Sequence, residues 1–282
     1  MNIYQEVTDR IIAKLEQGQI PWQKPWSGGA QSYAFNRVTK KPYSLLNQLL
    51  LNHDGEYASY KQWAAMGGQV RQGEKAEIVV FWKPTTITET NKNGETYEKT
   101  VPILRYFSVF HISQVDGVDP LNHEERKVYT HNPVDEAESI MKRYVDREHL
   151  LIRETTSDRA FYSPAQDYIQ IPSRTQYEEI GEFYSTLFHE MVHSTGHMSR
   201  LNRFGEESKA AAFGSSEYSK EELVAEVGAA TLVNMIGIET VQTFTNSAAY
   251  IQSWLKALRN DNRFIISASS KAEKAVKYIL GE

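Results

Sequence analysis

The chain of 282 residues contains no cysteine. This absence excludes a disulfide scaffold, thiolate metal sites, iron–sulfur clusters and thiol nucleophiles. It also favours a location in a reducing compartment. The sequence also has no apolar run of about 18 residues and no apolar core near its start, so it predicts neither a membrane-spanning helix nor a secretion signal. We therefore expect a cytoplasmic protein with no membrane partner.

The net charge is small, at -5, but it is unevenly distributed. Residues 1–116 carry 13 Lys and Arg against 11 Asp and Glu, whereas the remainder carries 18 against 25. Four of the five tryptophans also lie in the first part. This asymmetry predicts two domains with different tasks.

Hydrophobic spacing and turn residues predict an α+β chain. In residues 1–116 we expect a small sheet with helices, built from helical patterns at 2–17, 44–51 and 59–66 and β-rich runs at 77–82 and 104–112, with a polar connection at 85–99. Residues 117–133 are polar and turn-rich and predict a linker. Residues 134–282 form the second predicted domain, with short strand patterns between 150 and 172 and then helices at 176–196, 220–236, 242–259 and 270–280.

A His-Glu-x-x-His pattern at His189, Glu190 and His193 lies within the first of these helices. Residues four apart share one face of a helix, so both imidazoles can bind one ion. Glu190 then lies beside the ion, where it can take a proton from water as the catalytic base. The alternative is that both histidines are ordinary surface or core groups.

A catalytic zinc usually has three protein ligands, so a third residue is needed. Ser199 stands where a longer form of the motif has a third histidine, and His197 on the same straight helix would lie about 12 Å from His189. A second helix must therefore supply the ligand, and it carries Glu222 and Glu226 four residues apart. We assign Glu222 as the ligand and Glu226 as the acceptor that fixes the tautomer of a ligand histidine.

Two alternatives remain for this pair: Glu226 is the ligand, or both carboxylates form a solvated face. The preferred donor set, two imidazoles and a carboxylate with an open position, predicts one Zn2+ per chain, with other divalent transition metals as alternatives.

The first domain combines cations with aromatic side chains. Binding of single-stranded DNA without sequence preference requires positive charge for the phosphates and aromatic faces for the bases. The candidates are Trp22, Lys24, Trp26, Arg37, Lys40, Lys41, Tyr43, Arg71, Lys75 and Lys83. The alternative is that tryptophans belong to the core, and we expect this of Trp63 and Trp82, which have apolar neighbours.

Both halves carry a resemblance to known families. The helix pair is similar to the gluzincin arrangement of zincin metallopeptidases, in which a glutamate such as Glu222 completes the His-Glu-x-x-His site. The chain as a whole resembles the plasmid antirestriction protein ArdC family, at Pro21–Trp26, Lys41–Tyr43, Gly67–Lys75, Val79–Lys83, His189–His197 and Tyr218–Ala230. The resemblance implies a domain that binds single-stranded DNA, a zincin-like metallopeptidase domain, and protection of incoming plasmid DNA from host restriction.

The sequence leaves peptidase activity and the protein substrate open. For an active enzyme, Tyr218, His197 and Arg200 are candidates for stabilising the oxyanion, and no pattern chooses among them. One alternative function is an intracellular zinc protease whose first domain selects protein substrates. Another is a DNA-binding protein whose metal only braces the fold.

Overall fold

A computed structural model describes residues 2–23, 33–91, 94–121, 133–205, 216–238, 252 and 254–282. By internal contacts the chain divides into two compact units, Met1–Arg10 with Tyr33–Asn122, and Ile11–Ser32 with His123–Glu282. Both helices and sheets are present, so the predicted α+β class is confirmed. Residues 11–32 group with the second unit, which differs from a division at a single linker. Within the described ranges, no helix is long and apolar enough to cross a membrane.

The α-helices follow the hydrophobic periodicity of the sequence. They are α1 (Ile3–Glu16), α2 (Leu45–Leu50), α3 (Tyr60–Ala65), α4 (Pro133–Glu148), α5 (Ile180–Ser194), α6 (Ser216–Ile236) and, after a helical stretch at 254–260, α7 (Phe264–Leu280). Helix α7 begins earlier than the predicted residue 270, and Phe264, Ile265 and Ile266 in its first turn are buried.

Within the described ranges, three sheets accompany the helices. The strands are β1 (Ala34–Asn36), β2 (Gly55–Ala58), β3 (Gln69–Val70), β4 (Glu77–Thr90), β5 (Thr96–His111), β6 (Val115–Asp116), β7 (Leu151–Thr155), β8 (Phe161–Ser163) and β9 (Tyr168–Pro172). In the first unit the orders are β1-β2-β5-β4 and β3-β6, and in the second unit the order is β7-β9-β8. Strand β1 is parallel to β2, and β7 is parallel to β9.

The prediction of a polar connection at 85–99 is wrong. Strands β4 and β5 continue as one long antiparallel hairpin, paired from Glu77 opposite Val109 to Thr90 opposite Thr96. The threonines and isoleucine at 85–88 are β-branched and favour extended backbone even where both faces are polar. Gly94, with a φ of 83°, lies in the turn at the tip.

The described residues of the first unit include two small apolar clusters. Strands β4 and β5 contribute Val79 and Val109 to a cluster with Ala34, Leu51 and Tyr57. The second cluster surrounds Trp63, which is fully buried, as expected from the sequence.

The second unit is organised around helix α5. Its buried residues face α6 and the small sheet, and they are Phe183, Tyr184, Leu187, Phe188, Met191 and Val192. Helix α6 packs against α5, and its buried residues include Leu223, Val224, Ala225 and Val227. This packing leaves one polar stripe of α5 opposite one polar stripe of α6.

Candidate metal centre

The polar stripe of α5 carries the two predicted histidine ligands. His189 and His193 are one helical turn apart, and their Nε2 atoms are 3.1 Å apart. Both side chains retain partial exposure, at 19% and 12%, while the helix around them is buried. The helix therefore presents two imidazoles toward one accessible point.

Helix α6 approaches α5 closely because position 228 is glycine. A Cβ atom at Gly228 would lie 2.8 Å from Cγ2 of Val192, closer than real side chains approach. The missing side chain lets the helices pack tightly just beyond the histidines. The short separation brings a carboxylate of α6 within reach of both imidazoles.

Glu222 is that carboxylate. Its Oε1 lies 3.4 Å from Nε2 of His193, and its Oε2 lies 3.5 Å from Nε2 of His189. Ligand atoms of all three residues lie within 4.8 Å of one another. In a tetrahedral zinc site with bonds of about 2.1 Å, two ligands are about 3.4 Å apart, so this donor set fits a metal ion.

The charges of the three groups are strongly coupled. Burial disfavours the charged imidazolium forms, but hydrogen bonds to Glu222 raise the pKa of His189, and those to Glu221 and Glu222 raise the pKa of His193 to about 10. Burial opposes ionisation of Glu222 as well, yet the two imidazoles hold its pKa well below the usual range. A cation that binds here must displace protons from the imidazoles.

A second layer of charged groups orients His193. Oε1 of Glu221 lies 3.4 Å from Nδ1 of His193. The Arg203 guanidinium donates to both carboxylate oxygens of Glu221, at 2.6 and 3.1 Å, and to the carbonyl of Val192 at 2.8 Å. Fixing Nδ1 in this way directs Nε2 of His193 toward the ligand cluster.

Sequence reasoning missed Glu221 and Arg203. A signal for Glu221 existed, since a metal-ligating histidine needs an acceptor on its other nitrogen. Arg203 had none, because it reaches α5 only through the turn after the helix, where its backbone N–H donates to the carbonyl of Gly196 at 2.9 Å.

Glu226 lies near the other histidine. Its Oε1 is 3.8 Å from Nδ1 of His189, beyond hydrogen-bond distance but on the predicted side of the ring. Burial and the neighbouring Glu222 charge raise the pKa of Glu226. Its predicted role as acceptor for a ligand histidine stays a prediction.

Glu190, the predicted base, is 7% exposed on the same helix. Burial raises the pKa of Tyr177, and the Glu190 charge adds to this shift. The same charge adds to the effect of the carboxylate hydrogen bonds that raise the pKa values of both ligand histidines against burial. Tyr177 precedes α5 and was not singled out from the sequence. The negative charge of Glu190 therefore favours the protonated form of both ligand imidazoles.

The three predicted oxyanion stabilisers differ in their surroundings. His197 is half-buried in the turn after α5, where its Nδ1 contacts Oγ of Ser199 at 2.7 Å. The side chain of Tyr218 lies outside the described residues.

The oxyanion role does not fit Arg200. Its side chain is 1% exposed, and its guanidinium donates to Asp167 at 2.8 and 2.9 Å, to Glu148 and to the carbonyl of Ser194. These donors are already engaged in holding the fold together.

The candidate DNA-binding residues separate into distinct groups. Lys24 and Trp26 lie outside the described residues. Trp22 is 2% exposed and packs edge-on against Trp254 with ring centroids 5.0 Å apart, so the structure corrects the expectation of an exposed loop tryptophan. A buried indole offers no face for a base.

Other predicted contacts are engaged within the first unit. Arg37 pairs with the buried Glu56 and donates to the carbonyl of Asp119 at 3.2 Å. Arg71 pairs with Glu74 and Asp116. Tyr43 is half-buried against Tyr57.

Arg71 is exposed despite its ion pairs, and the other exposed candidates among the described residues are the lysines Lys40, Lys41, Lys75 and Lys83. Trp82 was expected in the core and is 47% exposed, so that expectation is wrong. Its ring centroid lies 6.3 Å from that of Tyr4, while Leu104, its partner across the strand pair, is buried.

Comparisons with known proteins match both units. Residues 1–110 match a family described as the N-terminal domain of the anti-restriction factor ArdC, and residues 138–271 match a family described as zincin-like metallopeptidase. The crystal structure of the antirestriction protein ArdC from plasmid R388 in metal-free form has a TM-score of 0.76 at 34% identity, over 99% of this chain and 97% of that one. Its Mn(II)-bound structure has a TM-score of 0.75 at 32% identity, over 100% and 98%.

Among curated sequences, two DNA primases named TraC from Escherichia coli are similar. One is 37% identical and the other 35% identical, each over 98% of this chain. This chain spans only 27% and 20% of their lengths. The similarity therefore concerns one part of each primase.

Proposed function

This chain belongs to the ArdC antirestriction family, and we propose that it binds single-stranded DNA through its first unit and protects incoming plasmid DNA from restriction in the cytoplasm. We further propose that its second unit holds one divalent transition metal, zinc by preference. The observation that carries the proposal is the cluster of His189, His193 and Glu222 inside the zincin-like part of an ArdC-type chain.

The metal proposal is supported by the geometry and by a relative. The R388 ArdC protein has been solved with Mn(II), which is a divalent ion. Imidazole donors suit zinc, while a carboxylate suits both zinc and manganese. Two imidazoles and one carboxylate therefore favour zinc, and elemental analysis of protein purified without added metal tests the identity of the ion.

The same site is suited to peptide hydrolysis. A bound divalent ion supplies Lewis acidity, which makes a water easier to deprotonate and a carbonyl easier to attack. Glu190, which follows His189 on the ligand helix, would accept a proton from the attacking water and return it to the leaving amine. The protein substrate is not identified by these residues.

The single-stranded DNA proposal draws on the relatives and on charge. Two relatives are named DNA primases, and this chain resembles one part of each. The first unit carries 11 Lys and Arg against 11 Asp and Glu, whereas the second unit carries 20 against 25 and would repel a phosphate backbone more strongly. The first unit is therefore the favoured DNA contact.

Transfer of a conjugative plasmid into a restricting host tests the proposal. Glu190→Gln is expected to retain its metal and to lose any hydrolytic activity, since the glutamate contacts water rather than the ion. Protection by this variant is expected to stay largely intact, because coating a single strand requires no bond cleavage.

Two outcomes would contradict parts of this scheme. Wild-type hydrolysis rates in Glu190→Gln would remove the glutamate from the chemistry. Loss of protection in Glu190→Gln, with normal binding of single strands, would make proteolysis of a host factor the protective step and refute the coating mechanism.

A further inference from the structure

The β4–β5 hairpin exposes large aromatic side chains close to the body of the first unit. Phe107 is 58% exposed, Trp82 is 47% exposed and Tyr106 is 44% exposed. By the strand register, Trp82 and Tyr106 lie on one face of the hairpin and Phe107 lies on the other. Exposing large rings is unfavourable in water, and exposed apolar patches usually mark an interaction site.

One face of the hairpin presents a parallel pair of rings. Phe81 and Phe107 stack with centroids 4.8 Å apart and planes 7° from parallel. Arg105 is directly opposite Phe81 in the strand register, and Lys83 is two residues further along the same face. We call Phe81, Lys83, Arg105 and Phe107 the aromatic platform.

The charge around the platform has one sign. The two facing strand segments, residues 78–86 and residues 100–108, together contain two charged residues, Lys83 and Arg105, and no carboxylate. Both are exposed, and within the described residues neither is paired with an acidic side chain. The platform is therefore cationic as well as aromatic.

The tip of the same hairpin is different. It carries Glu89, Glu95, Glu98 and Lys99, with Lys99 3.6 Å from Glu89. Tyr97 is also exposed there, at 46%, but its hydroxyl donates to Glu89 at 2.6 Å. The tip thus provides an internal comparison with exposed aromatics in a mixed-charge setting.

We propose that the aromatic platform is a stacking site for the bases of single-stranded DNA, with Arg105 and Lys83 on the flanking phosphates; this rests on the function proposed above. Phenylalanine rings offer π faces without hydrogen-bonding groups, which accept any base. A duplex keeps its bases stacked inside and cannot offer them to these rings. Unpaired cations on the same face favour a polyanion over an apolar protein partner.

Binding of a fluorescent oligothymidylate of about 16 nucleotides to the full chain tests the platform. Phe107→Ala is expected to weaken binding about 5-fold or more, which corresponds to about 1 kcal/mol or more for one stacked base. Phe107→Leu keeps an apolar side chain on the strand and is expected to show the same loss, whereas Phe107→Trp restores affinity. Arg105→Ala should flatten the slope of log affinity against log salt by about 0.7.

The matched control is Tyr97→Ala combined with Lys99→Ala at the tip, which should bind as the wild type does. Thermal melting confirms that each variant folds. If the wild type binds single strands and Phe107→Leu and Arg105→Ala bind equally well, or if the tip variant weakens as much, the platform assignment is wrong. If the wild type itself binds no single strand, the DNA-binding part of the proposed function fails and the platform fails with it.

Discussion

Replacing Glu221 by glutamine should weaken metal binding without touching a proposed ligand. The carboxylate faces Nδ1 of His193 at 3.4 Å and is held by Arg203 at 2.6 and 3.1 Å. Glutamine keeps the length of the side chain but removes the charge that makes the imidazole a better donor to a metal. Residues in such positions change metal affinity by about 10- to 100-fold, which is about 1.4 to 2.7 kcal/mol.

The substitution also affects folding, and the size of that effect can be bounded. The Arg203 side chain is 6% exposed, so it loses its carboxylate partner inside the protein. Breaking a buried ion pair costs about 3 to 5 kcal/mol when nothing replaces the partner. Arg203 keeps its bond to the carbonyl of Val192 and can still bond the amide oxygen, so we expect about 1 to 3 kcal/mol.

A control variant separates affinity from stability. Asp167→Asn breaks a comparable pair in the same unit, since Arg200 is 1% exposed and donates to both oxygens of Asp167. It should lose similar stability in chemical denaturation and bind Zn2+ as the wild type does in a chelator competition. Equal Zn2+ affinities for Glu221→Gln and wild type would refute the orienting role of Glu221.

Three further outcomes are expected. Glu222→Ala should release the metal while Glu226→Ala retains it, as measured by elemental analysis, and the reverse result would exchange their roles. Gly228→Ala places a Cβ 2.8 Å from Val192, so it should lower both the melting temperature and Zn2+ affinity; adding Val192→Ala should restore the affinity, and a Gly228→Ala protein with wild-type affinity would contradict the close-packing account. Because the imidazole pKa values are raised, to about 10 at one histidine, protons compete with the metal below those values. Zn2+ affinity should therefore rise with pH through the neutral range, and a flat profile in chelator competition would contradict the coupling.

The local parts of the fold and site follow from short-range patterns. The spacing of His189 and His193 places them on one helix face wherever that helix forms, and the periodicity of α1, α5 and α6 predicts their existence. Family membership is also confirmed, since both domain families and the solved R388 ArdC structure match this chain.

Exposure was the harder property to predict. Trp22 was expected to be exposed and is buried in the core, whereas Trp82 was expected in the core and is exposed on the hairpin. An apolar run in a strand is compatible with a core or with a projecting ribbon, and the length of β4 and β5 decides between them. The residues next to an apolar run in the sequence do not show whether its side chains will be buried or exposed.

The sequence by itself determined the helix that carries two imidazoles and a glutamate, the type of second helix needed to complete the donor set, and the α+β class, since each depends on spacing within one segment. Only the tertiary structure decided that Glu222 faces both imidazoles, that Arg203 and Glu221 orient His193, and that the hairpin exposes its rings. Those properties depend on contacts between residues distant in sequence, where the absence of one side chain at Gly228 sets the separation of two helices. The free energy of such contacts depends on packing and burial, which no local pattern contains.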